Sequence, residues 1–317
     1  MAAPAHLVTL NIGSQTIGLA EFRVIHGRLV LLNYRFRETP LDPATGQRRD
    51  ANDALQETAG VLRELMHEMH IHRADTNYAV PAQSVFVRFV KLPALDAEKI
   101  DKIIAFEAQQ NVPFPIDQVV WDYQLVGGGM GEQIQVVIVA IKRDLLDEIN
   151  NAVEETGLRT GVLTVASMAL YNAFCYNYTD LSGCSLLVDI GARTTNVLFV
   201  EADRIFSRSL PIGSSVITAA IAKEFGESFA AAETRKNRDA FVALAGAAEP
   251  ADPNLGRLSK MVRSTMTRLH AELMRSITHY RAQQQGDRPS RIFLCGGGAG
   301  MPNMREFRLR PLCRGSH

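Results

Sequence analysis

The residues best suited to chemistry lie in LLVDIGARTTNVLFV, from Leu186 to Val200. Apolar runs flank Gly191, with an acidic residue, Asp189, before the turn and two hydroxyls, Thr194 and Thr195, after it. A strand, tight turn and strand of this kind can hold a phosphate. Backbone N–H groups of the turn and the hydroxyls converge on phosphate oxygens, while a carboxylate at the strand end holds a hydrated Mg²⁺. An ordinary hairpin also places Asp and Gly at its turn, so one copy does not separate the two readings. A second copy stands near the N-terminus in TLNIGSQTIGLAEF, where Asn11, Ile12, Gly13 and Thr16 fall opposite Asp189, Ile190, Gly191 and Thr194 at one constant offset. Self-similarity between distant parts of a chain marks a duplicated unit. Two such hairpins facing each other across a cleft would clamp a polyphosphate from both sides.

Three further clusters bear on the same chemistry. In RIFSRSLPIGSS, Pro211 and Gly213 make a loop that can approach a ligand backbone closely. Glu233 and Lys236, three apart on an expected helix, share a face, as any surface ion pair does. In RIFLCGGGAGMPNM a strand ends in Gly296, Gly297 and Gly298, bare backbone on which a flat nucleoside can lie, with Pro302 marking a helix start. Two other motifs are set aside. His67, His70 and His72 lack the four-residue spacing of a zinc helix and read as a solvated helix end. The cluster GGGMGE joins two strands instead of opening a helix, so it reads as a long hairpin turn. Of the cysteines, Cys175, Cys184 and Cys295 read as small buried apolar residues, while Cys313 is undetermined.

The elements that must position these residues follow from periodicity. Strands are expected at His6 to Ile12, Thr16 to Val24 and Leu29 to Phe36, then a helix from about Ala51 to Met69. Strands near Asn77 to Pro81 and Val85 to Lys91 precede a helix capped by Asp96, which stops before NVPFP because Pro113 and Pro115 forbid continuation. VVWDYQLV and QIQVVIVAI are the next strands, followed by a helix from Arg143 to Thr156 ended by Gly157. Beyond LRTGVLTVAS, helices are expected at Met168 to Tyr178, Ser215 to Phe225, about Ser228 to Leu244 and about Arg257 to Gln284, the last after a linker, AAEPADPNLG.

At 317 residues the chain exceeds one ordinary core. Its formal net charge of zero, with both signs interspersed, argues against a nucleic-acid partner. The start MAAPAHLVTLNIG has no signal-peptide pattern and no apolar run is long enough to cross a bilayer, so a cytoplasmic location is expected.

The order of first hairpin, inserted stretch, second hairpin and Gly-rich strand end resembles the actin-like ATPase superfamily. The inserted stretch is similar to that of the PilM family of type IV pilus assembly proteins, in the small subdomain shared with the cell-division protein FtsA. The matching phrase is Leu92 and Pro93, Glu107 to Gln110, Pro113 to Pro115, then Asp122 and Tyr123. This resemblance implies an α/β actin-like ATPase fold of two duplicated ribonuclease H-like domains around a nucleotide cleft. Residues 1–76 and 160–182 would form the first domain, 77–159 the inserted α+β subdomain, and 183–317 the second domain with a helical insertion at about 214–288. It implies a cytoplasmic scaffold, peripheral at the inner membrane, that binds ATP or ADP with Mg²⁺ and docks the cytoplasmic tail of a PilN-like membrane protein. Pilus motor components and a second copy are further partners in that reading. Gly13, Ser14 and Gln15 would form the first phosphate hairpin and Gly191, Ala192, Arg193, Thr194 and Thr195 the second. Asp189 would hold Mg²⁺ through water, Glu233 and Lys236 would face ribose and base, and Gly296, Gly297 and Gly298 would back the adenosine.

Two departures in the first hairpin bear on hydrolysis. The family opens it with Asp and carries a Lys five residues after its Gly, where this chain has Asn11 and Gly18. Without that negative charge and that cation, the expectation is binding without efficient turnover, or no binding. The chain also stops in REFRLRPLCRGSH where the family runs on, so a truncation or a non-native tail is expected, with apolar surface exposed on the first domain. Two other functions share the fold. A sugar-type kinase needs a carboxylate base, for which no acidic residue stands out, and an FtsA-like membrane filament needs a basic amphipathic C-terminal helix.

Overall fold

A computed structural model describes residues 6–39, 51–93, 97–126, 133–244, 246 and 250–306. The side chains of residues 51–55, 97–99 and 133 fall outside that description, as do GGGMGE, Asp96 and Cys313. The chain divides into two compact units, the first ending at Cys175 and the second running from Tyr176.

The first unit opens with the antiparallel meander β1 (His6–Ile12), β2 (Thr16–Ile25) and β3 (Arg28–Glu38). His26 and Gly27 turn β2 into β3 with both φ angles positive, the backbone twist that matches two right-twisted strands. Then come α1 (Ala51–Glu68), β4 (Ala74–Val80), β5 (Phe86–Pro93), α2 (Ala97–Asn111), β6 (Val119–Val126), β7 (Gln133–Lys142), α3 (Arg143–Glu154), β8 (Leu158–Val165) and α4 (Ala166–Asn177). The main sheet has the order β3-β2-β1-β4-β8, with β4 parallel to both β1 and β8. Alternation along β1 and β2 buries Val8, Leu10, Ile12, Ile17 and Leu19, and the i, i+3, i+4 stripe of α1 covers them with Leu62, Leu65 and Met66, continued by Met69 just past the helix end. Each such side chain contributes roughly 1.5–3 kcal/mol on burial.

A second, antiparallel sheet of order β5-β7-β6 carries its own core, in which Leu92, Val136 and Ile138 meet Ile104 and Ala108 of α2. The inserted part is therefore shorter than the 77–159 expected. Strand β4 lies inside the main sheet between β1 and β8, and α3 buries Ile149 and Val153 in the main core. A period-2 pattern says that a segment is a strand and nothing about which sheet it joins.

The second unit holds β9 (Ser185–Ile190), β10 (Thr195–Val200), β11 (Ile205–Leu210), α5 (Ser215–Phe225), α6 (Phe229–Asp239), α7 (Pro253–Gln283) and β12 (Arg291–Cys295). Its sheet order, β11-β10-β9-β12, with a parallel β9–β12 pair, repeats the order β3-β2-β1-β4. Leu186, Val188, Ile190, Val197 and Phe199 meet the long apolar face of α7, from Leu258 through Leu269 to Tyr280. Helix α6 ends at Asp239, short of Leu244, and α7 begins at Pro253, ahead of Arg257, inside the expected linker. Asp252 accepts a hydrogen bond from the Asn254 N–H at 2.8 Å and Pro253 needs no donor in the first turn, which is why the helix starts there. After Gly297–Gly300 the chain turns, so Pro302 opens no helix among the described residues. Cys184 is buried as expected, but Cys175 is exposed on α4.

Candidate functional site

The two hairpins share one local geometry. The Gly13 N–H donates to the Thr16 carbonyl at 2.9 Å, and the Gly191 N–H donates to the Thr194 carbonyl at 2.9 Å. A Cβ on either glycine would sit within 2.9 Å of that same carbonyl oxygen, at 2.7 Å for Gly13 and 2.9 Å for Gly191. Behind each turn the same pair of positions faces across the strands, Asn11 with Gly18 and Asp189 with Asn196.

The second hairpin is locked from behind by the loop after β11. Ser214 N–H donates to the Gly191 carbonyl at 2.9 Å, and Ser215 donates to the Ala192 carbonyl through its N–H at 2.8 Å and its hydroxyl at 2.7 Å. Gly213 is the reason this approach is possible, since a Cβ there would lie 2.2 Å from the Ala192 oxygen. Its close approach is thus to the hairpin itself. Thr195 is fully buried and gives its hydroxyl to the Ile212 carbonyl at 2.7 Å, so it holds the loop, whereas Gly191, Ala192, Arg193 and Thr194 remain partly exposed.

Asp189 sits at the end of β9 between two strands. Asn196 Nδ2 donates to its Oδ2 at 3.0 Å, and Gly296 lies so close that a Cβ there would be 2.5 Å from Oδ1. Burial pushes the Asp189 carboxyl above its ordinary range, and the Asn196 N–H offsets part of that. Asn196 Oδ1 is buried with no partner among the described residues. A carboxylate beside an acceptor without a partner fits the hydration shell of a divalent cation, which presents only donors. Sequence reading missed Asn196. Its signal was the cross-strand position opposite Asp189. Cys295 lies beside Asp189 in parallel register, and burial together with that charge pushes its thiol up to about 12, which keeps it an inert neutral group.

The Gly-rich strand end packs on the same spot. Gly296 has φ +83°, a conformation that L side chains rarely adopt, and Gly298 is buried with room for no Cβ against Ile190. Gly296 and Gly297 remain exposed, leaving bare backbone next to Asp189. Glu233 and Lys236 form a pair with the lysine buried and the carboxylate half-buried. Lys236 is 6% exposed and its Nζ donates to both Glu233 oxygens at 2.7 and 2.8 Å and to Thr218 Oγ1 at 3.0 Å. Thr218 gives its one hydroxyl proton to Glu233 Oε2 at 2.5 Å, which closes the cluster between α5 and α6.

The sequence model of the type IV pilus assembly protein PilM matches residues 9–309. The chain belongs to the PilM family. Among solved structures, a PilM-PilN type IV pilus biogenesis complex is similar over 97% of this chain and 85% of that chain, with TM-score 0.78 and 24% identity. The ethanolamine utilization protein EutJ from Carboxydothermus hydrogenoformans is similar over 96% of this chain and 81% of its own (TM-score 0.55, 14% identity). MreB5 of Spiroplasma citri bound to AMPPNP is similar over 98% and 90% (TM-score 0.55, 14% identity). The fold is the α/β actin-like ATPase fold.

In this PilM-family chain the first hairpin is chemically plainer than the second. Gly13, Ser14 and Gln15 are partly exposed, and the Gln15 carbonyl accepts from the Thr39 N–H at 2.8 Å. Asn11 is exposed, and Gly18 is buried beneath Tyr34, whose hydroxyl oxygen and ring would stand 3.1 and 3.2 Å from a Cβ there. Where the resemblance leads one to expect Lys, Gly18 is covered by an aromatic ring from β3. Among the described residues no helix is long and apolar enough to cross a membrane, and no three His, Cys, Asp or Glu side chains gather to hold a metal.

Proposed function

We propose that this PilM-family protein is a cytoplasmic scaffold of the type IV pilus machine, peripheral at the inner membrane. It docks the cytoplasmic tail of a PilN-like membrane protein and binds ATP or ADP with Mg²⁺ without efficient turnover. The scaffold reading is carried by the family match across residues 9–309 and supported by the likeness to a PilM-PilN complex. The nucleotide reading is supported by the second hairpin, where Asp189, Gly191 to Thr194 and the bare Gly296 and Gly297 stand together on one sheet. Nucleotide in relatives of the same fold, as in MreB5 with ADP and with AMPPNP, supports it further. Arg193 supplies a positive charge at the hairpin tip, beside backbone N–H groups that favour an anion. Slow turnover follows from the first hairpin. Phosphoryl transfer rests on placed charge, and Asn11 and the covered Gly18 offer none.

Calorimetric titration with ATP and Mg²⁺ tests the nucleotide half. Binding is expected, with Arg193→Ala weakening it roughly tenfold, about the worth of one charge-assisted contact; no heat from the unaltered chain refutes it. A fluorescent peptide of the tail tests the scaffold half by anisotropy, with docking expected on the first unit at the main and inserted sheets. A tail that stays free refutes it.

A further inference from the structure

The C-terminal end of α7 carries a groove that neither half of the proposed function uses. Its volume is about 420 Å³, and it is lined by Met274, Ile277, Thr278, Arg281, Ala282 and Arg288. The five helical positions recur at i, i+3, i+4, i+7 and i+8, a single stripe of the helix. Ile277 is the buried floor, Met274 is 41% exposed at the rim, and Arg281 and Arg288 complete the lining.

The far wall of this groove is held in place. After α7 the chain adopts φ 55° at Gln285, a left-handed conformation that L side chains rarely adopt. Three contacts stabilise it. Arg204 Nη1 donates to the Gln285 carbonyl at 2.9 Å, and the Asp287 N–H donates to Glu201 Oε1 at 2.8 Å. Gly286 lies flat on Tyr280, where a Cβ would be 2.2 Å from the ring. Tyr280 in turn donates its hydroxyl to Glu201 Oε1 at 2.6 Å and stacks on Phe199 with ring centroids 4.3 Å apart. A strained turn over-determined in this way fixes the point from which Arg288 leaves the fold.

We propose that this groove docks a partner peptide in which an apolar side chain lies next to an acidic one. An apolar floor with a methionine at its rim accepts aliphatic or aromatic side chains of varied shape. The two arginines select the neighbour by charge, because their positive field favours a carboxylate and a basic residue there would face like charge. A wall fixed before binding leaves less disorder to lose when a peptide arrives.

Panning a random-peptide display library against the full chain tests this. The enriched pool is expected to pair Leu, Ile or Phe with Asp or Glu. Its peptides should bind Arg281→Glu/Arg288→Glu at least about tenfold more weakly and Met274→Ala a few-fold more weakly. The milder Arg281→Gln/Arg288→Gln pair gives the same reading where charge reversal unsettles the helix end, and its melting temperature checks the fold. A pool that is basic or lacks charge, one that binds both arginine variants as tightly as the parent, or no enrichment at all overturns the proposal.

Discussion

At the scale of single residues, Asp189 is both the candidate metal group and a burden on the fold. Burial raises its pKa, so the folded state binds a proton more readily than the unfolded chain, and stability falls as pH rises through the folded pKa. Protonation as the pH drops returns that stability. Asp189→Asn removes the buried charge and keeps an oxygen for Asn196. It is expected to melt at or above the parent temperature at neutral pH while abolishing Mg²⁺-dependent nucleotide binding, measured by thermal melting and calorimetry on the same sample. Gly213→Ala should behave in the opposite way. Its Cβ meets the Ala192 carbonyl at 2.2 Å, so it should cost about 2 kcal/mol or more in chemical denaturation and loosen the hairpin together with the fold. The candidate residues themselves were legible because the motif occurs twice. Their partners were not: Asn196 beside Asp189, Thr218 beside Lys236 and Tyr34 over Gly18 come from other strands and helices, and residue types along a chain carry no record of which neighbour arrives from elsewhere.

At the scale of elements, helices α5 and α6 are tied by one buried polar cluster. Lys236→Ala leaves the half-buried Glu233 carboxylate and Thr218 without their cation, and should cost about 3 kcal/mol by denaturant titration. The other predicted loss is smaller and local. Asp252→Ala removes the N-cap of α7 and should cost about 1 kcal/mol, because one N–H of the first turn then has only water. Most elements could be read from sequence, with α5 and β1 at their expected limits, since alternation and the 3.6-residue stripe are local signals. The ends of α6 and α7 were misplaced because a cap is a contact between a side chain and one backbone N–H, and several Asp, Ser and Pro residues near each end could have served.

At the scale of the whole molecule, two sheets of the same order and two hairpins of the same geometry make the duplication physical. One sheet also keeps an apolar face. Register places Leu29, Leu31, Tyr34 and Phe36 of β3 with Val24, Phe22, Ala20 and Gly18 of β2 on one side, and the four β3 residues are 43–54% exposed. Such a face binds apolar probes. The chain is expected to enhance the fluorescence of a hydrophobic dye, and Leu31→Lys/Phe36→Lys to remove most of that signal with little change in melting temperature. The edge itself is guarded, as Arg35 and Arg37 each donate to the carbonyl of the preceding residue at 2.9 and 3.0 Å. The sequence by itself determined the fold class, the family and the positions of both hairpins, because each rests on local pattern and on repetition along the chain. Only the tertiary structure decided that β4 belongs to the main sheet and α3 to its core, that Thr195 braces a loop, and that Lys236 is buried. Those outcomes depend on which distant segments pair and what each then removes from water, and that is settled by packing, after the local pattern has been spent.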